Sequence, residues 1–255
     1  MKQKNWFTKK KGAGAISIVA VIALILMGTF AWYDFSQAVE NNFSGPFVRD
    51  VLLHDDFEEE AAAEWDEYQT INKDVYVENT GNTAVYVRVK LTENMTFTYA
   101  DGTTQEMYTN QVNSSFSGVG ADDEYATWNL GEVMTMADWI EAGKPTGAFW
   151  VLDTDGWAYW AEMLGAEEIT ALLLDSVTLS NPPNELFDYS IDVQLEAISD
   201  YHLYYWYEGG TVENGYKINQ AGDDAQKLLD ILSGKVPNAP IYSGLSQFKI
   251  RLPLV

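Results

Sequence analysis

Cysteine is absent from all 255 residues. No disulfide, thiolate metal site, cysteine nucleophile or lipid-anchored cysteine is available, so the fold must rest on its core and its sheet hydrogen bonds. Histidine is nearly absent: His54 and His202 are the two, far apart in sequence. They cannot form a His-Glu-x-x-His helix, which sets two imidazoles on one face beside a carboxylate. Basic residues are scarce, 15 against 38 acidic, for a net charge of −23. Such a surface repels nucleic acid and anionic lipid headgroups. It suits solubility, cation binding or a divalent-rich medium. Long apolar runs are lacking except over residues 12–32.

That one run carries much of the meaning. Lys2, Lys4, Lys9, Lys10 and Lys11 precede it, and small Thr29 and Ala31 stand near its end. A basic start, an apolar middle and small side chains at the end read as a secretory signal, residues 1–31, cut after Ala31. The alternative is an uncleaved membrane anchor. Spanning takes about 20 apolar residues, a length reached only by including Ser17 and the cleavage site. Cleavage leaves ten basic and 38 acidic residues, a net charge of −28. The expected location is extracellular, or membrane-anchored if the signal stays. The end of the sequence, Arg251 to Val255, lacks the apolar stretch and basic tail of a wall-sorting signal.

Hydrophobic residues make up 47% of the chain and aromatics 14%, enough for a substantial core. After the signal, Tyr33, Phe35, Gln37 and Val39 alternate with Asp34, Ser36 and Ala38, a short strand with one apolar face. Residues 47–54 read as a further strand. Asp55, Asp56, Glu58, Glu59 and Glu60 then suit an acidic loop or a single helical turn. Val75 and Val77, a Thr80-Gly81-Asn82 turn, and Val85, Val87, Val89 and Leu91 predict a β-hairpin. Residues 105–125 lack periodicity and read as a surface excursion. A short helix is expected over residues 134–142, capped by Thr135. Strands are expected over residues 149–152, 157–160, 169–179, 189–197 and 248–252. Residues 223–232 have a helical apolar face, with Asp223 to cap it and Gly234 to end it. The expected fold is an all-β, jelly-roll-like antiparallel β-sandwich with one or two short helices, preceded by a signal helix. Its parts are a segment 32–46 and a domain 47–255, with an acidic, aromatic-rich insertion around 99–149.

Several segments together resemble a family. They are Met27-Gly28-Thr29-Phe30-Ala31-Trp32-Tyr33, Leu53-His54-Asp55-Asp56-Phe57, and Lys73-Asp74-Val75-Tyr76-Val77-Glu78-Asn79-Thr80-Gly81-Asn82 with Tyr86-Val87-Arg88-Val89. Later come Asp155-Gly156-Trp157-Ala158-Tyr159-Trp160, Thr170-Ala171-Leu172-Leu173-Leu174, and Tyr189-Ser190-Ile191-Asp192-Val193 leading to Glu196-Ala197. In this order they resemble the TasA/camelysin group of exported matrix proteins of Gram-positive bacteria, especially its BsaA-like pilin branch. The resemblance implies a jelly-roll subunit of an extracellular biofilm fibre. It implies a SipW-type signal peptidase as a partner, other copies of the chain as the main partner, and donor-strand exchange as the joint. Other matrix components are further candidate partners. Residues 99–149 and 201–216 depart from the family pattern. Tyr33, Phe35 and Val39 would be the donor strand, free only after cleavage. The same segment could instead pair within its own subunit.

Other chemistry is thinner. Camelysin-like relatives suggest a metalloprotease, but His54 and His202 offer no zinc motif, and no catalytic residue is nominated. Asp153-x-Asp155-Gly156 is a plain turn rather than an EF-hand loop, whose glycine comes sixth. No cofactor is expected; calcium on Asp55, Asp56, Glu58 and Glu59 is the one candidate. Tyr204, Tyr205, Trp206 and Tyr207 cannot all point inward on a strand, so an exposed aromatic interface for glycans or proteins is expected. That gives a second function, a monomeric surface-binding module. Lys73 and Lys249 are the candidate lysines for an isopeptide bond to Asn or Asp.

Overall fold

The computed structural model describes residues 34–41, 48, 50–57, 69–111, 126–179, 186–212 and 215–235. The signal with Thr29 and Ala31, together with Tyr33, Lys249 and the expected strand 248–252, lies outside the described residues. The chain runs β1 (Asp34–Asn41), β2 (Val51–Phe57), β3 (Thr70–Asn79), β4 (Tyr86–Thr98), β5 (Thr104–Gln111), β6 (Ala126–Leu130) and β7 (Val133–Thr135). Helix α1 (Met136–Glu141), strands β8 (Trp150–Leu152), β9 (Trp157–Trp160), β10 (Leu174–Leu179) and β11 (Leu186–Ile198) follow. A 3₁₀ turn (Asp200–His202), α2 (Tyr204–Glu208), the small pair β12 (Gly210–Thr211) and β13 (Lys217–Ile218), and α3 (Asp223–Leu232) complete the described chain.

Two sheets form a β-sandwich. The larger has the order β1-β11-β4-β9-β8-β7, with β5 also paired to β4. The smaller has the order β2-β3-β10-β6. Most pairings are antiparallel, but β1 with β11 and β7 with β8 are parallel. Alternation sets the faces. Val75 and Val77 of β3 and Val87, Val89 and Leu91 of β4 are buried in the same core, between the sheets. Burying a side chain of this size contributes roughly 1.5–3 kcal/mol.

The predicted hairpin over residues 73–93 is corrected by this arrangement. β3 and β4 lie in different sheets, and the turn between them is an arch from one sheet to the other. Both strands still turn their valines inward, so the alternation is the same for an arch as for a hairpin. Buried Asn79 builds the bend. Its Nδ2 donates to the carbonyls of Thr83, Leu164 and Gly165 at 2.8, 3.1 and 2.8 Å, and its Oδ1 accepts from Gly81 N at 3.0 Å.

A second core covers the outer face of the large sheet. Tyr86, Val151, Trp157 and Tyr159 of the sheet pack there with Trp139 of α1, Trp206 of α2 and Leu228 and Leu229 of α3. At β8 and β9 the large sheet is therefore buried on both faces, which is why all of Trp157–Trp160 is buried.

Other expectations change in detail. Asp55 and Asp56 continue strand β2 instead of opening a loop or helical turn. Residues 104–111 form β5 against β4 rather than a surface excursion. β6 pairs with β10 in the small sheet and its Trp128 is buried, so residues 126–130 of the expected insertion are woven into the sandwich. Regular strand begins at Leu174, later than expected. Thr135 caps α1, its Oγ1 accepting from Asp138 N at 3.0 Å. In α3, Gly222 occupies the cap position and Asp223 begins the helix.

Candidate functional site

The most distinctive edge of the molecule is that of β11. On one side β11 pairs with β4 through all of Leu186–Ile198. Its inward residues Phe187, Tyr189, Ile191, Val193, Leu195 and Ala197 are core. On the other side lies β1, in parallel register from Asp34 opposite Asp188 to Asn41 opposite Leu195. This sets the predicted donor residues Phe35 and Val39 beside Tyr189 and Val193 in register. Here the segment pairs with its own chain, the alternative left open by the sequence. β11 is the one strand next to β1 in the sheet order of the described residues. Beyond the ladder, Val48 N donates to Ala197 O at 2.9 Å, so the chain returns to the same edge before entering β2.

The lysine nominated for cross-linking is wholly buried. Lys73 points into the sandwich from β3, and its Nζ donates to Asp55 Oδ1 on the neighbouring β2. The register places Lys73 opposite Phe57 and Asp55 opposite Val75, so the pair spans adjacent strands diagonally. The Phe57 ring lies 5.4 Å from Nζ. Burial pulls the Lys73 ammonium below its usual range, against the attraction of Asp55. Burial likewise pushes the Asp55 carboxyl up, against the pull of Lys73. The Asp55 side chain is thus buried, while Glu58 and Glu59 of the expected calcium cluster lie outside the described residues.

Beneath the second core lies a network that the sequence reading passed over. Arg88 is fully buried on β4. Its Nη2 lies 2.7 Å from Glu196 Oε2 and donates to Asn219 O at 2.8 Å, while Nη1 donates to the Tyr159 hydroxyl at 3.2 Å. The guanidinium stacks 4.3 Å from the Trp157 ring and 4.7 Å from the Trp206 ring. Glu196 also accepts from Trp206 Nε1 at 2.8 Å and the Tyr216 hydroxyl at 2.6 Å. Burial acts to lower the Arg88 guanidinium, but Tyr159 and Glu196 outweigh it and hold the charge in place. Every partner is internal, so this network fastens the helical cap to the sheet. Both residues sit in the polar phase of their strands, which reads as a solvent face until the cap is seen.

The aromatic run is corrected too. Tyr204–Glu208 is helix, not strand, and Trp206 is buried in the second core. Tyr205 and Tyr207 are half-buried, while Tyr204 is 46% exposed beside Tyr201 at 83%. His54 stacks 4.4 Å from Tyr76 and bonds Glu78 at 2.8 Å, and His202 lies 3.1 Å from Ser199 Oγ. Among the described residues no group of three or more His, Asp or Glu could hold a metal ion. The Asp153–Gly156 turn is closed by its own bonds, Thr154 N to Asp153 and Trp157 N to Asp155. No helix of the described residues is long and apolar enough to cross a membrane.

No family model, no curated protein and no solved structure matches the chain.

Proposed function

We propose that the chain is an exported structural subunit of an extracellular, biofilm-type matrix fibre. Its joint is residues 34–41, which leave their own β11 and pair with β11 of another copy. The observation that carries this reading is the parallel pairing of an N-terminal strand with β11 and, among the described strands, with no other. A second copy presents the identical ladder, so exchange keeps every strand hydrogen bond. The chain length between residues 41 and 48 exceeds the distance between their partners on β11. Asn41 pairs with Leu195 and Val48 bonds Ala197, two residues on. That advance is about 7 Å along a strand, while the chain from 41 to 48 can reach roughly 24 Å when extended. A vacated β11 edge is a template for any matching strand. The resemblance to the TasA/camelysin group, with its SipW-type processing, supports the same reading. On it, cutting the leader frees the joining strand, so export and assembly are coupled.

The test is sedimentation and negative-stain microscopy of the chain from residue 32 and of one lacking residues 32–41. Fibres from the first and none from the second are expected. A first chain that stays monomeric at high concentration overturns the reading.

A second reading, a surface-binding module, has one observation in its favour: the exposed pair Tyr201 and Tyr204. Tyr and Trp rings suit stacking on partner surfaces. A glycan array with a Tyr201→Ala control separates it from the fibre reading.

A further inference from the structure

We propose that Lys73 and Asp55 join in an autocatalytic isopeptide bond that staples β2 to β3. The inference stands apart from fibre formation, since both partners belong to one chain.

Three observations converge on it. First, the two groups are already in contact, Nζ on Oδ1, on adjacent strands whose register is fixed over seven residue pairs. A nucleophile held against its electrophile by a rigid sheet gains most of what orientation can give. Second, both side chains are sealed from water, at 0% and 1% exposure. Phe57 closes over the amine, and Ile71, Val75 and Val77 flank Lys73 on the inward face of β3. A buried ion pair is a weak stabiliser, because desolvating two charges offsets most of their attraction. Two further acidic charges act on the pair: Asp56 next in β2, and Asp192 on β11 of the other sheet. Third, burial moves both groups toward their neutral forms, the amine down and the carboxyl up. Those are the forms that react.

The step balances without a further reactant. A proton passes from Nζ to the Asp55 carboxylate, leaving a neutral amine and a carboxylic acid. The Nζ lone pair attacks Cγ, and the carbonyl electrons move onto oxygen. A second proton goes from nitrogen to the hydroxyl of the tetrahedral carbon. The C–O bond breaks, the carbonyl re-forms, and one water leaves as the Nζ–Cγ amide is made. The product has no charge to bury.

The place gives the bond a purpose. β2 is the edge strand of the small sheet and touches both β1 and β11. Without the bond it could peel from β3 under load one hydrogen bond at a time. With it, a chain pulled through residues 34–48 transmits force to β3 covalently.

Peptide mapping of the purified full chain, unfolded and digested, tests the proposal. A single branched peptide joining 55 to 73, lighter than the two linear peptides by one water, is expected. Lys73→Arg and Asp55→Ala should each show only linear peptides. Asp55→Asn should give the same branched peptide, ammonia leaving in place of water. Linear peptides alone from the unmodified chain, with Lys73 open to an amine-labelling reagent after unfolding, overturn the proposal. That result leaves a non-covalent ion pair, whether or not the chain forms fibres.

Discussion

At the residue scale, the buried Arg88–Glu196 pair makes the sharpest forecast. Glu196 accepts from Arg88, Trp206 and Tyr216 at once. Glu196→Ala leaves the Arg88 charge buried without its carboxylate. Removing one partner of such a pair costs about 3–5 kcal/mol, whereas replacing both by apolar side chains is often nearly neutral. Urea unfolding should therefore show a large loss for Glu196→Ala and a much smaller one for Arg88→Met with Glu196→Leu. Asp153 yields a pH forecast. Burial raises its carboxyl above the ordinary value, helped by Asp155 and opposed by the Thr154 amide. The folded state therefore holds this proton more tightly than the unfolded state. Its contribution to stability is full below the ordinary aspartate value of about 3.9. It is lost as pH rises through the raised folded value. Asp153→Asn should remove that part of the pH profile, read as thermal midpoints of both chains across the acid range. A profile unchanged by the substitution contradicts the assignment.

At the element scale, the arch is held by one buried side chain, Asn79. Asn79→Ala removes its bonds to three carbonyls and one amide. At about 1–3 kcal/mol for each buried group left unmade, the loss should exceed about 2 kcal/mol in urea unfolding. Gly131 meets the backbone of Leu172 so closely that an added Cβ would lie 2.1 Å from its carbonyl oxygen. Gly131→Ala should lower the thermal midpoint by several degrees, by about 4 °C or less per kcal/mol for a chain of this size. These elements also show how far a sequence can be read. The valine alternation of β3 and β4 located both strands, yet it could not choose hairpin from arch. That choice rests on where the Asn79 side chain finds carbonyls 85 and 86 residues away. β11 was legible because its inner face is apolar at every second residue. β2 was less so, because Asp55 breaks the apolar phase and only Lys73, distant in sequence, explains it. Lys73 itself was nominated from its place beside a strong strand, but its partner was read as surface acid. α2 was misread because a helix of five residues shows too little periodicity to stand out from a run of aromatics.

At the scale of the whole molecule, the two cores divide the labour. The inner core holds the sandwich, and the outer one closes the large sheet from solvent over β8, β9 and the adjoining ends of β4 and β11. The sheet edge at β11 is covered by one N-terminal strand, and that strand is what the fibre reading exchanges. Because the chain has no cysteine, an engineered pair reports strand partners without background. Ala38 and Asp192 are register partners across β1 and β11, within reach of a disulfide. The decisive measurement mixes two processed chains, one with Ala38→Cys and one with Asp192→Cys, under oxidising conditions on a denaturing gel. The account predicts a disulfide-linked pair of the two different chains, formed in the mixture and far more abundant than either chain's self-pair. The contradicting result is no mixed pair, while a single chain carrying both substitutions closes its disulfide wholly within itself.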